Sequence, residues 1–321
     1  NKMIPNVACF SNYIWNVNLN YEFARQIKRK APDTVIVFGG PNYPFQVEAQ
    51  EKFLVSHPEI DFYIFREGEL PFIALLNVLL EHELDASRIK QAQFSIPNCH
   101  YISKGKIIKG NLLPPVIKLD DIPSPYLSSA CDKFLDKGLM PLMLTTRGCP
   151  FSCTFCQQGD EYFSRIINFS LERVRDELQY IVRRTSNPTL MFADSNFGMY
   201  RHDIERCKEV ALIKKQYGWP KFFFGPQGKN NKDCILKAVT IIQEAGIFVP
   251  LSAAVQSTNE GVLKNIKRDN VSLSVYFDLA KTVNIQGLTG FSELIVCLPG
   301  DTKDDHFKSA FELIDAGMHT V

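Results

Sequence analysis

Short apolar runs alternate with amphipathic stretches through the first 82 residues of the chain. The apolar runs occupy residues 7–10, 34–38 and 61–65, and helical patterns follow them at 18–30, 47–55 and 71–80. Near-continuous apolar strands separated by single helices are typical of a parallel sheet that is covered on both faces. The pattern therefore predicts part of a doubly wound, Rossmann-like α/β domain over residues 1–82.

The pattern changes between residues 83 and 141. Residues 101–108 flank a central Lys104-Gly105, which predicts a β-hairpin. Pro114-Pro115 and Pro123-Ser124-Pro125 follow, and residues that precede proline avoid the helical region. We therefore interpret residues 83–141 as a linker that contains a hairpin and a proline-rich connector.

A second alternation of strands and helices occupies residues 142–321. Apolar runs predict strands at 142–146, 189–193, 221–225, 248–253 and 293–298, and a sixth near His319. Helical patterns lie between them at 171–184, 203–217, 233–245, 271–283 and 303–316. Successive βα units predict a partial (βα)6 barrel. Because both domains are incomplete, we expect further sequence before Asn1 and after Val321.

Composition narrows the possible partners. The chain has 36 Lys and Arg against 35 Asp and Glu, so its formal net charge is +1. This balance gives no electrostatic reason to expect a nucleic-acid partner. The longest apolar stretch, residues 71–80, is shorter than the roughly 20 residues of a membrane span. With no secretory signal pattern, and with scattered thiols typical of reducing compartments, we expect a cytoplasmic protein.

Three of the nine cysteines, Cys149, Cys153 and Cys156, are clustered directly after the first predicted barrel strand. This is the end of the strand where (βα) enzymes place their chemistry. A tetrahedral zinc site needs a fourth ligand, and the nearest histidine in sequence is His202. An iron–sulfur cube held by three thiolates instead leaves one iron open. Three unrelated buried thiols, or a zinc site closed by a remote ligand, are the alternatives.

The spacing Cys-x-x-x-Cys-x-Phe-Cys, with Phe155 before the third cysteine, resembles the radical S-adenosylmethionine (SAM) superfamily. The resemblance implies a [4Fe–4S] cluster on Cys149, Cys153 and Cys156, with SAM on the open iron and Phe155 near its adenine. It also implies that one electron from a donor such as flavodoxin or ferredoxin cleaves SAM to a 5′-deoxyadenosyl radical.

Later segments resemble the same superfamily. Asp194, in the segment Phe192-Ala193-Asp194-Ser195-Asn196-Phe197, follows the second strand, where members bind the SAM amino group, although the usual Gly-Gly-Glu is absent. Gln256-Ser257 and the downstream Arg268 resemble the pattern after the fourth strand. The resemblance implies that Gln256, Ser257 and Arg268 bind SAM, with Arg268 as a bidentate donor. A solvated cation at a helix end is the alternative for Arg268.

A doubly wound domain placed before the radical module, with the connector Leu-Asp-Asp-Ile-Pro-Ser-Pro-Tyr, resembles the cobalamin-binding subfamily. Loops that follow parallel strands bind ligands in open α/β sheets, and glycine permits a close approach. The expected cobalamin residues are Ser11, Tyr13, Gly39, Gly40, Glu67 and Gly68. The alternative is that Gly39-Gly40 only forms a tight turn.

The Asp-x-His-x-x-Gly loop that supplies a cobalt-ligating histidine in many cobalamin domains is not found in this sequence. Asp304-Asp305-His306 lies instead on a predicted barrel helix. We therefore expect either a histidine ligand upstream of Asn1 or cobalamin binding without one.

The resemblance implies a cobalamin-dependent methyltransferase that uses the 5′-deoxyadenosyl radical and methylcobalamin to methylate an unactivated carbon of a small molecule or peptide. One alternative is a radical SAM enzyme that performs a cyclisation or rearrangement with cobalamin. An alternative of another class is a non-catalytic iron–sulfur or zinc-binding protein. A methylthiotransferase is disfavoured, because Cys9, Cys99 and Cys131 do not form a second cysteine cluster.

Overall fold

The computed structural model of the chain describes residues 5–228, 230–252, 254–268 and 290–321. It divides into two compact units, Asn1–Val116 and Ile117–Val321. Each unit is an α/β structure, as the hydrophobic pattern predicts. The predicted helix at residues 271–283 lies outside the described residues.

The first unit is built on one sheet of five strands in the order β1-β2-β3-β4-β5. The first three strands are parallel, and the last two are antiparallel additions at one edge. The elements in chain order are β1 (Val7–Ser11), α1 (Val17–Lys30), β2 (Val35–Gly39), α2 (Val47–Ser56), β3 (Phe62–Ile64), α3 (Glu69–Glu81), α4 (Ala86–Ala92), β4 (Cys99–Ser103) and β5 (Lys106–Lys109).

Side chains of β2 alternate between two buried faces of this sheet. Val35 and Val37 pack in a cluster that includes residues of α3 and α4. Ile36 and Phe38 pack in a second cluster, with residues of α1 and α2. Because successive side chains of a strand point to opposite faces, a strand buried on both sides must be apolar throughout. The sheet that is covered on both faces is therefore confirmed.

The predicted hairpin is present, but it belongs to this sheet and not to a linker. Strand β4 pairs with β3 through Tyr63 opposite His100 and Ile64 opposite Cys99. Lys104 and Gly105 form the turn, both with positive φ. Alternation of residue types reveals a hairpin but not the third strand that it joins, because that pairing links residues far apart in sequence. The assignment of the hairpin to the linker is corrected accordingly.

The second unit contains a partial (βα)6 barrel. Strands β6, β9 and β10 form a parallel sheet, and the bridge between Phe222 and Phe248 continues it towards β11. Strand β11 pairs with β12, and the bridge between Phe291 and Thr320 adds the sixth position. The strands are β6 (Leu142–Met143), β7 (Thr146–Arg147), β8 (Ile167–Asn168), β9 (Thr189–Phe192), β10 (Phe222–Phe224), β11 (Leu251–Ser252) and β12 (Gly290–Phe291).

The described helices of this unit are α5 (Asp132–Leu135), α6 (Leu171–Val182), α7 (Arg201–Tyr217), α8 (Lys232–Glu244), α9 (Glu260–Asn265) and α10 (Lys303–Asp315). The first four pack around a large apolar core formed with β6, β9 and β10. Helices α9 and α10 contribute to two smaller apolar clusters. Side chains of Ser170, Asn259 and Thr302 accept hydrogen bonds from the first turns of α6, α9 and α10, which explains why these helices begin there. In the described ranges, every helix is too short or too polar to cross a bilayer.

Three predicted barrel strands differ from the structure. The strand at 142–146 is shorter, because Thr145 and Thr146 donate their backbone N–H groups to Asp194 instead of to a neighbouring strand. The strand at 248–253 is interrupted by Pro250, which has no N–H to donate. The strand at 293–298 is reduced to a single parallel bridge between Leu294 and Gln256, because the regular strand β12 lies at Gly290–Phe291 and Cys297 adopts a φ of 62°.

Candidate functional site

The three clustered cysteines line one cavity of about 420 Å³ in the second unit. The cavity lies at the carboxyl ends of the barrel strands, where residues that follow β9, β10, β11 and β12 complete its wall. Cys153 is 6% exposed, whereas Cys156 is exposed. The structure therefore brings together the residues that the sequence predicts as a metal centre.

Backbone hydrogen bonds fix the loop that carries these cysteines. Cys149 N donates to Phe163 O over 2.8 Å, and Thr154 N donates to Ile266 O over 3.0 Å. Two glycines permit this packing. A Cβ at Gly148, whose φ is 99°, would lie 2.1 Å from Arg165 O, and one at Gly159 would lie 2.2 Å from Cys153 O. Neither glycine is recognisable as essential from the sequence, because only the folded loop shows what approaches it.

The thiols influence one another electrostatically. Desolvation raises the pKa of Cys156, and the neighbouring Cys149 and Cys153 raise it further. Three thiolates at one cavity therefore need a cationic core to offset their repulsion.

A single zinc ion would hold its sulfurs roughly 4 Å apart, because each Zn–S bond is about 2.3 Å long. Among the described residues, no three His, Cys, Asp or Glu side chains are arranged to hold one metal ion. An iron–sulfur cube attaches each thiolate to a different iron, so its ligands are more widely spaced. The donor set of three thiols around one cavity fits the cube.

Arg268 lies in the cavity beside the second cysteine. Its Nη1 is 3.9 Å from Cys153 Sγ, and its Nη2 donates to Ala254 O. Its Cζ is 5.9 Å from the centroid of the Phe155 ring, which also lines the cavity. Burial lowers the pKa of the guanidinium, and the thiolates of the three cysteines oppose that shift. Arg268 is therefore a half-buried cation of the site and not a solvated helix end.

Gln256 presents an unused acceptor to the same cavity. Its Oε1 is buried and has no hydrogen-bond partner among the described residues, and its backbone adopts a positive φ of 68°. Gln158 Oε1, which the sequence analysis did not select, is buried and unpaired in the same way. Ser257 is 3% exposed and accepts from Asn259 N, so it lies behind the cavity wall.

The structure corrects the role expected for Asp194. This carboxylate is 1% exposed and does not line the cavity. Its two oxygens accept hydrogen bonds from Thr145 N, Thr145 Oγ1 and Thr146 N. Asp194 is therefore engaged in joining two strand ends and does not face a ligand. Asn196, two residues later, lines the cavity instead and donates to Cys149 Sγ over 3.3 Å.

The first unit contains a cavity of about 560 Å³ at the carboxyl ends of its parallel strands. Its wall is largely apolar, with Phe10, Phe38, Ile64 and Phe72, and it includes residues of all three loops that the sequence singles out. Five of the six expected cobalamin residues line it, namely Ser11, Tyr13, Gly39, Gly40 and Gly68. A wide apolar site edged by backbone suits a large flat ligand.

The first two loops of this cavity are fastened to each other. Asn12 is fully buried, and its Nδ2 donates to Asn42 O and to the hydroxyl of Tyr63. Tyr63 in turn donates to Gly40 O. A Cβ at Gly40, whose φ is 128°, would lie 2.7 Å from Asn12 O. Gly40 is therefore required by the contact between the two loops, in addition to the turn that it forms.

Glu67 is the sixth expected cobalamin residue, and the structure corrects it. Its Oε2 accepts from Val116 N over 2.8 Å, and it does not line the cavity. All six histidines belong to the described residues, and none of them lines the cavity of the first unit. His306 lies on α10 in the second unit, as predicted, and its Nδ1 is 3.6 Å from Asp301 Oδ2.

Comparison with known proteins gives one family match and several relatives. A model of the radical SAM superfamily matches residues 143–314. The cobalamin-dependent radical SAM methyltransferase TokK of Streptomyces tokunonensis is 28% identical over 98% of this chain and 46% of its own length. The 2-(S-pantetheinyl)-carbapenam-3-carboxylate methyltransferase of Streptantibioticus cattleyicolor is 27% identical with the same coverage. The chain spans about half the length of these curated relatives.

Two solved structures share the fold. The radical SAM methyltransferase TsrM from Kitasatospora setae, with cobalamin and a [4Fe–4S] cluster bound, matches with a TM-score of 0.69 over 99% of this chain and 61% of that chain, at 14% identity. The cobalamin-dependent enzyme OxsB, with aqua-cobalamin and SAM bound, matches with a TM-score of 0.67 over 97% of this chain and 44% of that chain, at 17% identity.

Proposed function

This chain belongs to the radical SAM superfamily, and on that premise we propose that it forms the cofactor-binding part of a cobalamin-dependent enzyme that methylates an unactivated carbon. The observation that carries this proposal is the convergence of three thiols, Arg268 and the unpaired Gln256 acceptor on one cavity. The two relatives that match 98% of the chain, TokK and the carbapenam carboxylate enzyme, both have names that describe methyltransferases.

In this proposal Cys149, Cys153 and Cys156 hold a [4Fe–4S] cluster. With SAM bound, the cluster supplies a 5′-deoxyadenosyl radical that can take a hydrogen atom from carbon. The residues around it do the positioning. Arg268 would bind the carboxylate of SAM, Gln256 Oε1 would accept from one of its N–H groups, and Phe155 would pack against the adenine. Apolar walls would exclude water from a reactive radical; they include Phe151, Phe224 and Phe291.

The cavity of the first unit would hold cobalamin, which supplies the methyl group when bound. Gly39 and Gly40 would let the backbone approach the ligand, and Ser11, Tyr13 and Gly68 would surround it. Because no histidine lines this cavity among the described residues, these contacts would bind cobalamin without a histidine from this part of the chain.

The substrate and partners follow from the same proposal. One relative's name describes a methyltransferase that acts on a carbapenam carboxylate, which supports a small-molecule substrate, and a peptide is the alternative. The electron would come from a low-potential protein such as flavodoxin or ferredoxin. All nine cysteines are free, which supports work in a reducing compartment such as the cytoplasm.

The test uses the whole protein that carries this chain. It is purified without oxygen, reconstituted with iron, sulfide and hydroxocobalamin, and examined by absorption and EPR spectroscopy. It is then reduced with SAM that carries a CD3 group. We expect cluster and corrin spectra together, formation of 5′-deoxyadenosine, and CD3 in the product.

Each alternative gives a different result. Formation of 5′-deoxyadenosine without CD3 in any product would favour cyclisation or rearrangement. Absence of 5′-deoxyadenosine from a protein with an intact cluster would favour a non-catalytic iron–sulfur protein and would contradict the proposal.

A further inference from the structure

One cysteine sulfur of the cavity accepts a side-chain amide hydrogen bond. Asn196 Nδ2 lies 3.3 Å from Cys149 Sγ, which is within hydrogen-bonding distance for sulfur. Asn196 is 9% exposed and lines the cavity. The family resemblance assigns no role to this residue, and the carboxylate two positions earlier, Asp194, is engaged elsewhere.

The backbone on both sides of Asn196 is fixed, so the position of the amide is predetermined. On one side, Asp194 is tied to Thr145 and Thr146. On the other side, Phe197 is 4% exposed, its N donates to Pro226 O over 2.9 Å, and its ring packs against Phe192 and Phe223. A donor held by rigid neighbours loses little conformational entropy when it bonds to sulfur.

We propose that Asn196 is a positioning residue that raises the reduction potential of the cluster by donating a hydrogen bond to Cys149. This inference rests on the proposed function, because it assumes that Cys149 ligates a [4Fe–4S] cluster. It adds a residue that sets how readily the cluster accepts its electron.

The physical basis is the change in charge on reduction. The oxidised cluster takes one electron from a low-potential donor protein, no bond to the protein changes, and the added negative charge spreads onto the sulfur ligands. A hydrogen-bond donor aimed at a sulfur stabilises the more negative state more than the oxidised state. Partners of metal ligands act in this way on the metal that they surround. Removal of the amide therefore lowers the potential.

The test measures the cluster potential by EPR-monitored redox titration of the reconstituted protein. Asn196→Leu keeps the approximate volume and removes the donor. At a fixed ambient potential we expect the ratio of reduced to oxidised cluster to fall by up to about tenfold, which corresponds to about 59 mV for one electron. Asn187→Leu is the matched control, because it removes an amide that bonds Gly138 O at the opposite end of β9. The control should leave the potential unchanged.

Asn196→Ser is measured in parallel, because its side chain is too short to reach Cys149 and it retains polarity. It should shift the potential in the same direction. An unchanged potential in both variants overturns the inference. Loss of the cluster from both variants, with normal helix content, also overturns it, because a residue that only tunes the potential is dispensable for assembly. A wild-type protein that binds no [4Fe–4S] cluster would instead contradict the proposed function.

Discussion

Asp194 and Thr145 are joined by two hydrogen bonds at the carboxyl ends of the neighbouring strands β9 and β6. Thr145 N donates to Asp194 Oδ1 over 2.6 Å, and the Thr145 hydroxyl donates to Oδ2. Thr145 precedes Cys149 by four residues, and Asp194 precedes Asn196 by two. The buried carboxylate therefore aligns the start of the cysteine loop with the residue that contacts its first sulfur. Burial raises the pKa of Asp194, and the bonds from Thr145 and Thr146 oppose that shift.

Asp194→Asn should destabilise the second unit and not specifically weaken SAM binding. The amide can place an N–H group against the donors of Thr145 and Thr146, and a buried unsatisfied donor costs about 1–3 kcal/mol. We expect a lower midpoint of thermal unfolding. Calorimetric titration of folded, cluster-loaded variant with SAM should give an affinity close to wild type. A large loss of SAM affinity at unchanged stability would restore Asp194 as a ligand.

Cys153→Ala should abolish the iron–sulfur spectrum while corrin binding survives, because the two cavities belong to separate units. Iron content and EPR report the cluster, and absorption of bound hydroxocobalamin reports the corrin. Cys297→Ser is the control, since this exposed thiol does not line either cavity. A full iron complement in Cys153→Ala would contradict the assignment of the ligands.

Arg268→Gln should weaken SAM binding to the cluster-loaded protein by at least about tenfold, which is equivalent to about 1.4 kcal/mol. The reason is the loss of a half-buried cation beside Cys153, where the carboxylate of SAM is expected. Lys264→Gln removes an exposed charge from α9, in the same segment of chain, and should have little effect. Equal affinities of the two variants would show that Arg268 does not contact SAM.

Gly40→Ala should weaken corrin binding, because its Cβ would meet Asn12 O at 2.7 Å and because a φ of 128° is unfavourable for alanine. Such backbone strain costs about 1–3 kcal/mol, and the contact must be relieved by moving one loop. Gly105→Ala is the matched control, with a φ of 77° in the hairpin turn and open space around its Cβ. Titration with hydroxocobalamin measures the corrin affinity of both variants. Similar affinities would show that the loop contact is dispensable.

His100 should make stability depend on pH between about 6.5 and 4. Burial, together with the nearby charge of Lys109, lowers the pKa of His100 to about 4. The unfolded chain takes up the proton near pH 6.5, so the free energy of unfolding falls as the pH drops towards 4, by at most about 3 kcal/mol. Denaturant titrations of His100→Gln at several pH values should show a free energy of unfolding that changes less steeply with pH. Burial also lowers the pKa of His202 to about 4, so His202 retains part of the pH dependence in this variant. The same pH dependence of the free energy of unfolding in the variant and in wild type would contradict the lowered pKa of His100.

Much of the fold could be predicted from local patterns. Helices α1, α2 and α3 and strand β2 follow from the period of apolar residues, because both faces of the sheet are buried. Helix α4 lies in the segment interpreted as a linker and was not predicted. The cysteine loop was identified because three ligands on one short loop must be close in space. Local patterns do not show which strands pair with one another. The sequence therefore does not reveal that β4 pairs with β3 and extends the parallel sheet.

The errors at the site have a common cause. Asp194 and Asn196 are both polar residues after β9, and nothing in their identities shows that the carboxylate turns inward and the amide faces the cavity. Glu67 differs from its expected position for the same reason, since its carboxylate accepts a hydrogen bond from a backbone N–H of its own unit. The strand expected at 293–298 extends no further than the bridge at Leu294, because Cys297 adopts a positive φ that its residue type does not indicate.

The hydrogen bonds that connect Asn12, Asn42 and Tyr63 have a consequence for how the first unit acquires its ligand. The rim of that cavity is ordered during folding. The conformational entropy of these loops is therefore lost in folding and not when the ligand binds. A corrin would therefore bind to a preformed site, and its affinity would depend on the contact area and on the solvent that it displaces.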